Sequence, residues 1–216
     1  MINKEVLKIK VCGLKYPKNQ ALIAKLEIDY AGFIFYKKSA RYALSVSEKI
    51  PTNTKKVGVF VDAEINEIIQ KVKEFSLDVI QLHGKESLAY IEKLRLKMLP
   101  KKLKIWKAIA VKTKEDLEVI KVYDTKVDAI LVDAKGDLPG GNGTKFNWEL
   151  LDDLRLESPL ILSGGIKIED TPEINKLRKN NIIWGVDINS GFEINPGLKD
   201  FARVKRFVEE IKNKIA

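Results

Sequence analysis

Leu7-Lys8-Ile9-Lys10-Val11-Cys12-Gly13 is the stretch from which the fold is read. Leu7, Ile9 and Val11 alternate with lysines, the period of two that marks a β-strand. Gly13 breaks the pattern, so Cys12, the only cysteine of the chain, sits where strand becomes loop. A thiol in that place is either a small buried hydrophobe or a reactive group at the mouth of a site. What stands at the other strand ends decides between the two.

The pattern recurs. Strand-like runs begin near Leu7, Tyr30, Lys55, Asp78, Lys104, Ala129, Pro159 and Ile182, spaced 23–30 residues apart. Their cores are Ile9–Cys12, Gly32–Phe35, Val57–Val61, Val79–Leu82, Ile105–Ala110, Ile130–Val132, Leu160–Leu162 and Ile183–Ile188. That spacing is one βα unit each. Helical patterns fill the gaps. Ile65, Ile68, Ile69, Val72 and Phe75 form an i, i+3, i+4, i+7 stripe, and Leu198, Phe201, Val204, Val208, Ile211 and Ile215 stripe the last helix. Thr113 with Asp116 resembles a capping box, and Asp170 or Thr171 is placed to cap a helix with Pro172 in its first turn. Ala21 to Ile28 reads as a weaker helix, Asn147 to Leu154 as a short one. Eight alternating units imply parallel strands, right-handed crossovers and a closed α/β architecture, the (β/α)8 TIM barrel, as one domain over residues 1–216. A doubly wound open sheet is the rival; it usually has fewer strands, and no G-x-G-x-x-G follows the first strand here.

Composition narrows the function classes. With 45% hydrophobic and 32% charged residues the chain has the make-up of a soluble globular protein, and no apolar run is long enough to span a membrane. The first residues, Met1-Ile2-Asn3-Lys4-Glu5, lack an apolar signal core, so a cytoplasmic protein is expected. A lone cysteine forms no intramolecular disulfide, which fits a reducing compartment. The lone His83 argues against a His-based metal site, so no metal is expected. The net charge of +9 allows a nucleic-acid partner or an anionic small molecule. The basic residues are spread along helices in mixed patches such as Lys71-Val72-Lys73-Glu74, which reads as a solvated face, and no aromatic–basic RNA motif is present. A phosphorylated small-molecule substrate is therefore expected, with neither nucleic acid nor membrane.

In such a barrel the active site lies at the C-terminal ends of the strands. Those ends carry Cys12-Gly13, the loop Lys37–Arg41, Asp62, Gln81-Leu82-His83-Gly84, Ala110, Asp133, Ser163-Gly164-Gly165 and Asp187-Ile188-Asn189-Ser190-Gly191. Turn preferences explain the glycines but not Cys12 and Asp133 at the ends of otherwise apolar strands. The glycine turns Gly164-Gly165 and Ser190-Gly191 follow strands seven and eight, where barrels often bind phosphate on backbone N–H groups. The long segment from Asp133 to Trp148, with Gly140, Gly141 and Gly143, reads as a lid whose returning end is anchored by Phe146 and Trp148.

Taken in order, several segments resemble phosphoribosylanthranilate isomerase of tryptophan biosynthesis. They are Lys10-Val-Cys12-Gly13, Gly32-Phe-Ile-Phe35 with Ser39-Ala-Arg41, Gln81-Leu-His83-Gly84, and Asp133. Gly140-Gly-Asn-Gly143 with Phe146 and Trp148, Leu162-Ser-Gly-Gly165, Asp187-Ile-Asn-Ser-Gly-Phe-Glu193 and Pro196-Gly197-Leu-Lys199-Asp200 complete the set. The resemblance runs from Lys10 to Asp200. It implies a cofactor-free Amadori rearrangement in a (β/α)8 barrel, with Cys12 as general base and Asp133 as general acid. It also implies Arg41 on the anthranilate carboxylate and Asp187 near the sugar hydroxyls and amine. Gly164, Gly165, Asn189, Ser190 and Gly191 fall in the phosphate loops, and a monomer or homodimer is expected. Departures from the family pattern are Lys15, Ala40, Asn142, Asn147 and Asn189; on the sequence none of them touches the acid, the base or the arginine. Related barrels fit less well. An indole-glycerol-phosphate synthase needs catalytic lysine and glutamate at strand ends, whereas Glu193 lies beyond the eighth strand and Lys107 inside the fifth. A metal-dependent epimerase wants more histidines.

Overall fold

The computed structural model describes residues 7–101, 103–134 and 145–213. Eight parallel strands pair in chain order and close on themselves: β1 (Lys8–Val11), β2 (Tyr30–Ile34), β3 (Lys55–Phe60), β4 (Val79–Leu82), β5 (Lys104–Val111), β6 (Ala129–Ala134), β7 (Leu160–Leu162) and β8 (Gly185–Ile188). Closure joins β8 to β1 from Lys8 opposite Gly185 to Val11 opposite Ile188. The helices are α1 (Pro17–Ile23), α2 (Ile65–Phe75), α3 (Leu88–Met98), α4 (Asp116–Tyr123), α5 (Thr171–Lys179) and α6 (Phe201–Asn213). After β8 the chain makes a short antiparallel hairpin, β9 (Glu193–Asn195) and β10 (Leu198–Lys199). This is the expected TIM barrel. No helix among the described residues is long and apolar enough to cross a membrane.

Two crossovers depart from the βα repeat. Between β2 and β3 the chain forms turns instead of a helix, and among the described residues between β6 and β7 there is only a 3-10 turn at Trp148–Leu151. Asn147, one of the departures, caps that turn by accepting a hydrogen bond from the Glu149 N–H at 3.0 Å. Elsewhere the local rules hold with shifts. Helix α1 starts earlier than the apolar pattern indicates because Pro17 occupies its first turn, where a fixed φ favours helix and no N–H is lost. The Thr113–Asp116 box is half formed: the Asp116 carboxylate accepts from the Thr113 N–H at 3.0 Å. Neither Asp170 nor Thr171 caps α5 with its side chain; Asp170 accepts from the Lys167 N–H at 2.7 Å, and the Thr171 hydroxyl donates to the Ile168 carbonyl. Leu198 belongs to β10 and not to the last helix, whose buried stripe includes Phe207. The glycine segment expected as a lid and Asn142 lie outside the described residues, while Phe146 and Trp148 at its returning end are buried as expected.

The apolar side chains divide into two layers. Ile9, Val11, Phe33, Phe60, Ile80, Leu82, Ile130, Val132, Val186 and Ile188 point outward into a core shared with the helices. The opposite face of the same strands fills the lumen with Tyr30, Val57, Val79, Trp106, Leu131 and Ile161. Trp106 packs edge-to-face on Tyr30 at 4.8 Å and on Trp184 at 6.2 Å, so aromatic rings plug the N-terminal end of the barrel. Because side chains alternate along a strand, residues in phase with this plug emerge at the other end as the inner face of the mouth.

Candidate active site

Phase alone selects the site. Cys12 lies in phase with Lys10 on β1, His83 with Val79 and Gln81 on β4, Asp133 with Leu131 on β6, and Asp187 with Gly185 on β8. All face one solvent-open cleft of about 680 Å³ at the C-terminal mouth. Arg41, Gly164, Gly165, Asn189, Ser190 and Gly191 line the same cleft, so the residues given a role by the resemblance converge there, whereas the strand-end residues Asp62, Gly84 and Ala110 are not part of its lining.

Cys12 follows β1 directly, its N–H bonded to the Ile188 carbonyl at 2.9 Å, and is 4% exposed. Gly13 then turns the chain at a φ of +73°, where a side chain would meet Asn189 Oδ1 at 2.7 Å and Arg41 Cδ at 2.9 Å. On the neighbouring strand Gly32 leaves room for Cys12: a Cβ there would lie 2.9 Å from Sγ and 3.1 Å from Lys10 Cε. Lys10, 1% exposed, donates to Asp187 Oδ2 at 2.8 Å. These two stand opposite each other in the β1–β8 register. Burial pushes the Cys12 thiol above its ordinary value against the pull of Lys10. Burial likewise raises the Asp187 carboxyl, opposed by Lys10 and reinforced by Asp133. Burial would lower the Lys10 ammonium, but Asp187 and Cys12 outweigh it and hold it above the usual lysine range. Asp187 Oδ1 is buried and has no hydrogen-bond partner among the described residues.

Asp133, 5% exposed, is held from two sides: its Oδ1 accepts from the Ala134 N–H at 2.9 Å, and His83 Nε2 lies 3.2 Å from its Oδ2. His83 Nδ1 in turn faces Gln81 Nε2 at 3.2 Å. Between β4 and β6 the inner face of β5 offers only Ala108 and Ala110 above Trp106, which lets the imidazole reach across. Gly164, at a φ of +88°, passes so close to Asp133 that a Cβ would sit 2.8 Å from Oδ1.

Arg41, expected as a carboxylate clamp, is also tied to the protein. Its Nε donates to Glu193 Oε1 at 2.9 Å and its Nη2 to Oε2 at 2.7 Å, so one edge of the guanidinium is spent on the protein. Lys199, with a fully buried side chain, donates to the same carboxylate at 2.7 Å and to Asn189 Oδ1 at 2.6 Å. Burial would raise Glu193, but Arg41 and Lys199 outweigh it and hold its carboxyl below the usual range. Burial pulls Lys199 down to about 8. Three departures meet here. Lys15 donates to the Ala40 carbonyl at 3.1 Å, next to Arg41, and Asn189 packs on Gly13 beside the Arg41 stem. The sequence-based expectation that they leave the arginine untouched is therefore corrected.

The sequence reading gave no role to Lys10, His83, Glu193 or Lys199. The signal for Lys10 was present, two residues before Cys12 and hence on the same strand face. Three lysines, Lys10, Lys107 and Lys199, are buried at 3% exposure or less, against the reading of the basic residues as a solvated face. Lys107 points outward from β5 onto Glu86, Nζ to Oε2 at 3.1 Å, and Glu86 accepts from the Gly84 and Asp62 N–H groups; this pair braces the loop that carries His83.

The family model for N-(5′-phosphoribosyl)anthranilate isomerase matches residues 9–210. The chain is 39% identical to the N-(5′-phosphoribosyl)anthranilate isomerase of Parabacteroides distasonis, over 94% of this chain and 92% of that protein. The crystal structure of phosphoribosyl anthranilate isomerase from Thermotoga maritima superposes with a TM-score of 0.82 at 29% identity, covering 96% of this chain and 99% of that one. A phosphoribosyl anthranilate isomerase solved with reduced 1-(o-carboxyphenylamino)-1-deoxyribulose 5-phosphate superposes at 0.79 with 28% identity, over 96% and 99% of the two chains. With its barrel and nearly its whole length matched, this chain belongs to the N-(5′-phosphoribosyl)anthranilate isomerase family.

Proposed function

We propose that Cys12 and Asp133 divide the proton transfers of the N-(5-phosphoribosyl)anthranilate isomerisation, a cofactor-free step of tryptophan biosynthesis. The observation that carries this reading is the convergence of a thiol, a carboxyl with its own partner, and an unpaired buried carboxylate oxygen in one cleft. Asp133 gives a proton to the ring oxygen as the C1–O bond breaks, leaving an iminium at C1. Cys12, as thiolate, removes the proton from C2. The resulting enolamine takes a proton at C1 and loses one from the C2 hydroxyl, giving the 1-deoxyribulose without net oxidation. Asp187 Oδ1 accepts from the sugar hydroxyls or the amine, which satisfies the buried oxygen. Arg41 uses its outer edge, Nη1 with Nη2, on the anthranilate carboxylate, since Glu193 holds the other. Gly164, Gly165, Asn189, Ser190 and Gly191 form the phosphate end of the cleft.

On this reading the chain acts as one domain over residues 1–216, as a cytoplasmic monomer or homodimer on a phosphorylated small molecule. The test is incubation with phosphoribosylanthranilate, followed by loss of its anthranilate fluorescence. No turnover by folded protein refutes the activity.

A further inference from the structure

Lys10 is a whole lysine side chain sealed inside the barrel, and the reaction as written gives it no task. Burying a cation costs free energy unless partners replace its water. One partner is Asp187, at 2.8 Å. The end of the lysine stem and the Cys12 sulfur crowd the same spot beside Gly32: a Cβ there would lie 3.1 Å from Lys10 Cε and 2.9 Å from Cys12 Sγ. We propose that Lys10 is a positioning residue for the isomerisation, its ammonium seated between the Asp187 carboxylate and the Cys12 sulfur so that the thiolate, when it forms, has a cation to rest against. This rests on the reading of Cys12 as the base.

The neighbouring groups all bear on this charge balance. Asp187 on β8 opposes ionisation of Cys12, and Lys199 on β10 favours it. Asp133 on β6 and His83 at the end of β4 face Asp187, and Glu193 pairs with Lys199 at 2.7 Å. Burial of the thiol makes a nearby cation necessary, and Lys10 outranks Lys199 as the attraction on Cys12. Gly32 is part of the device, since any side chain there would push the sulfur and the lysine stem apart.

Because Cys12 is the only cysteine, alkylation by iodoacetamide reads its thiolate alone. At a fixed pH near 8, Lys10→Met should slow alkylation about ten- to a thousandfold, the effect of removing an adjacent opposite charge. Asp187→Asn should speed it, because the carboxylate opposes the thiolate. Circular dichroism confirms the fold of each variant. If Lys10→Met does not fold, Lys10→Met/Asp187→Asn, which leaves no lone buried charge, is compared with Asp187→Asn and should be the slower. Equal rates in either comparison, or Lys10→Met and Asp187→Asn moving the rate in the same direction, overturn the proposal. The reading of Cys12 as base fails separately, through undiminished turnover by Cys12→Ser, whatever alkylation shows.

Discussion

Glu193→Gln keeps the shape of the side chain and removes its charge. The carboxylate now accepts from Arg41 Nε at 2.9 Å, Arg41 Nη2 at 2.7 Å, Lys199 Nζ at 2.7 Å and the Gly197 N–H at 3.0 Å. A glutamine offers one oxygen and turns an NH2 toward a cation, so at least one of these donors is left facing another donor. Lys199, with no exposed side-chain surface, cannot turn to water, whereas Arg41 is 16% exposed and can. Removing one partner of a buried ion pair costs about 3–5 kcal/mol, which for a chain of this length is a fall in Tm of about 6–20 °C. Loss of the tether also frees the guanidinium proposed to meet the substrate carboxylate, so on that reading KM should rise about tenfold, ~1.4 kcal/mol, with a smaller change in kcat. The pH dependence has a fixed sign. The Glu193 carboxyl titrates below its ordinary 4.5, so its contribution is present above that value and is lost as pH falls through the lower folded-state value. Glutamine does not titrate, so the stability gap between the two proteins narrows in acid. Denaturant unfolding at several pH values, with substrate titration near neutrality, measures all three effects. A loss under about 1 kcal/mol, the worth of an exposed pair, with unchanged KM would refute the reasoning.

Three further outcomes follow from the same site. Cys12→Ser should lower kcat by orders of magnitude at nearly unchanged Tm, since a hydroxyl near neutral pH accepts a proton far less readily than a thiolate; lost stability with intact turnover would make Cys12 a packing residue. Asp133→Asn should lower kcat at least about a hundredfold with little change in KM, and a variant with lower Tm, altered KM and normal kcat would show that Asp133 only ties the loop at Ala134. Gly32→Ala places a methyl 2.9 Å from the Cys12 backbone Cα, which cannot swing aside as a flexible side chain would, and should destabilise by about 1–3 kcal/mol and depress kcat together, read by thermal unfolding and steady-state rates.

The sequence by itself determined the fold and pointed to the residues that line the mouth. Period-two runs at a spacing of 23–30 residues leave few closed arrangements, and the strand ends of such a barrel are its mouth. It also placed Cys12 and Asp133 at one mouth, because both end otherwise apolar strands. What it left open is which face of a strand meets water. The alternation in Leu7–Gly13 put Lys8, Lys10 and Cys12 on one side, but a lysine face reads as solvent until the sheet closes. Closure brings Asp187, 177 residues away, opposite Lys10, and the side that looked solvated becomes the lumen. Arg41 was read as a clamp, yet its tie to Glu193 spans 152 residues and depends on the β9–β10 hairpin, whose Leu198 the sequence had assigned to the last helix. Local pattern is written in neighbours along the chain. The pairing of buried charges is set by which strands become neighbours in space, and that only the tertiary structure decided.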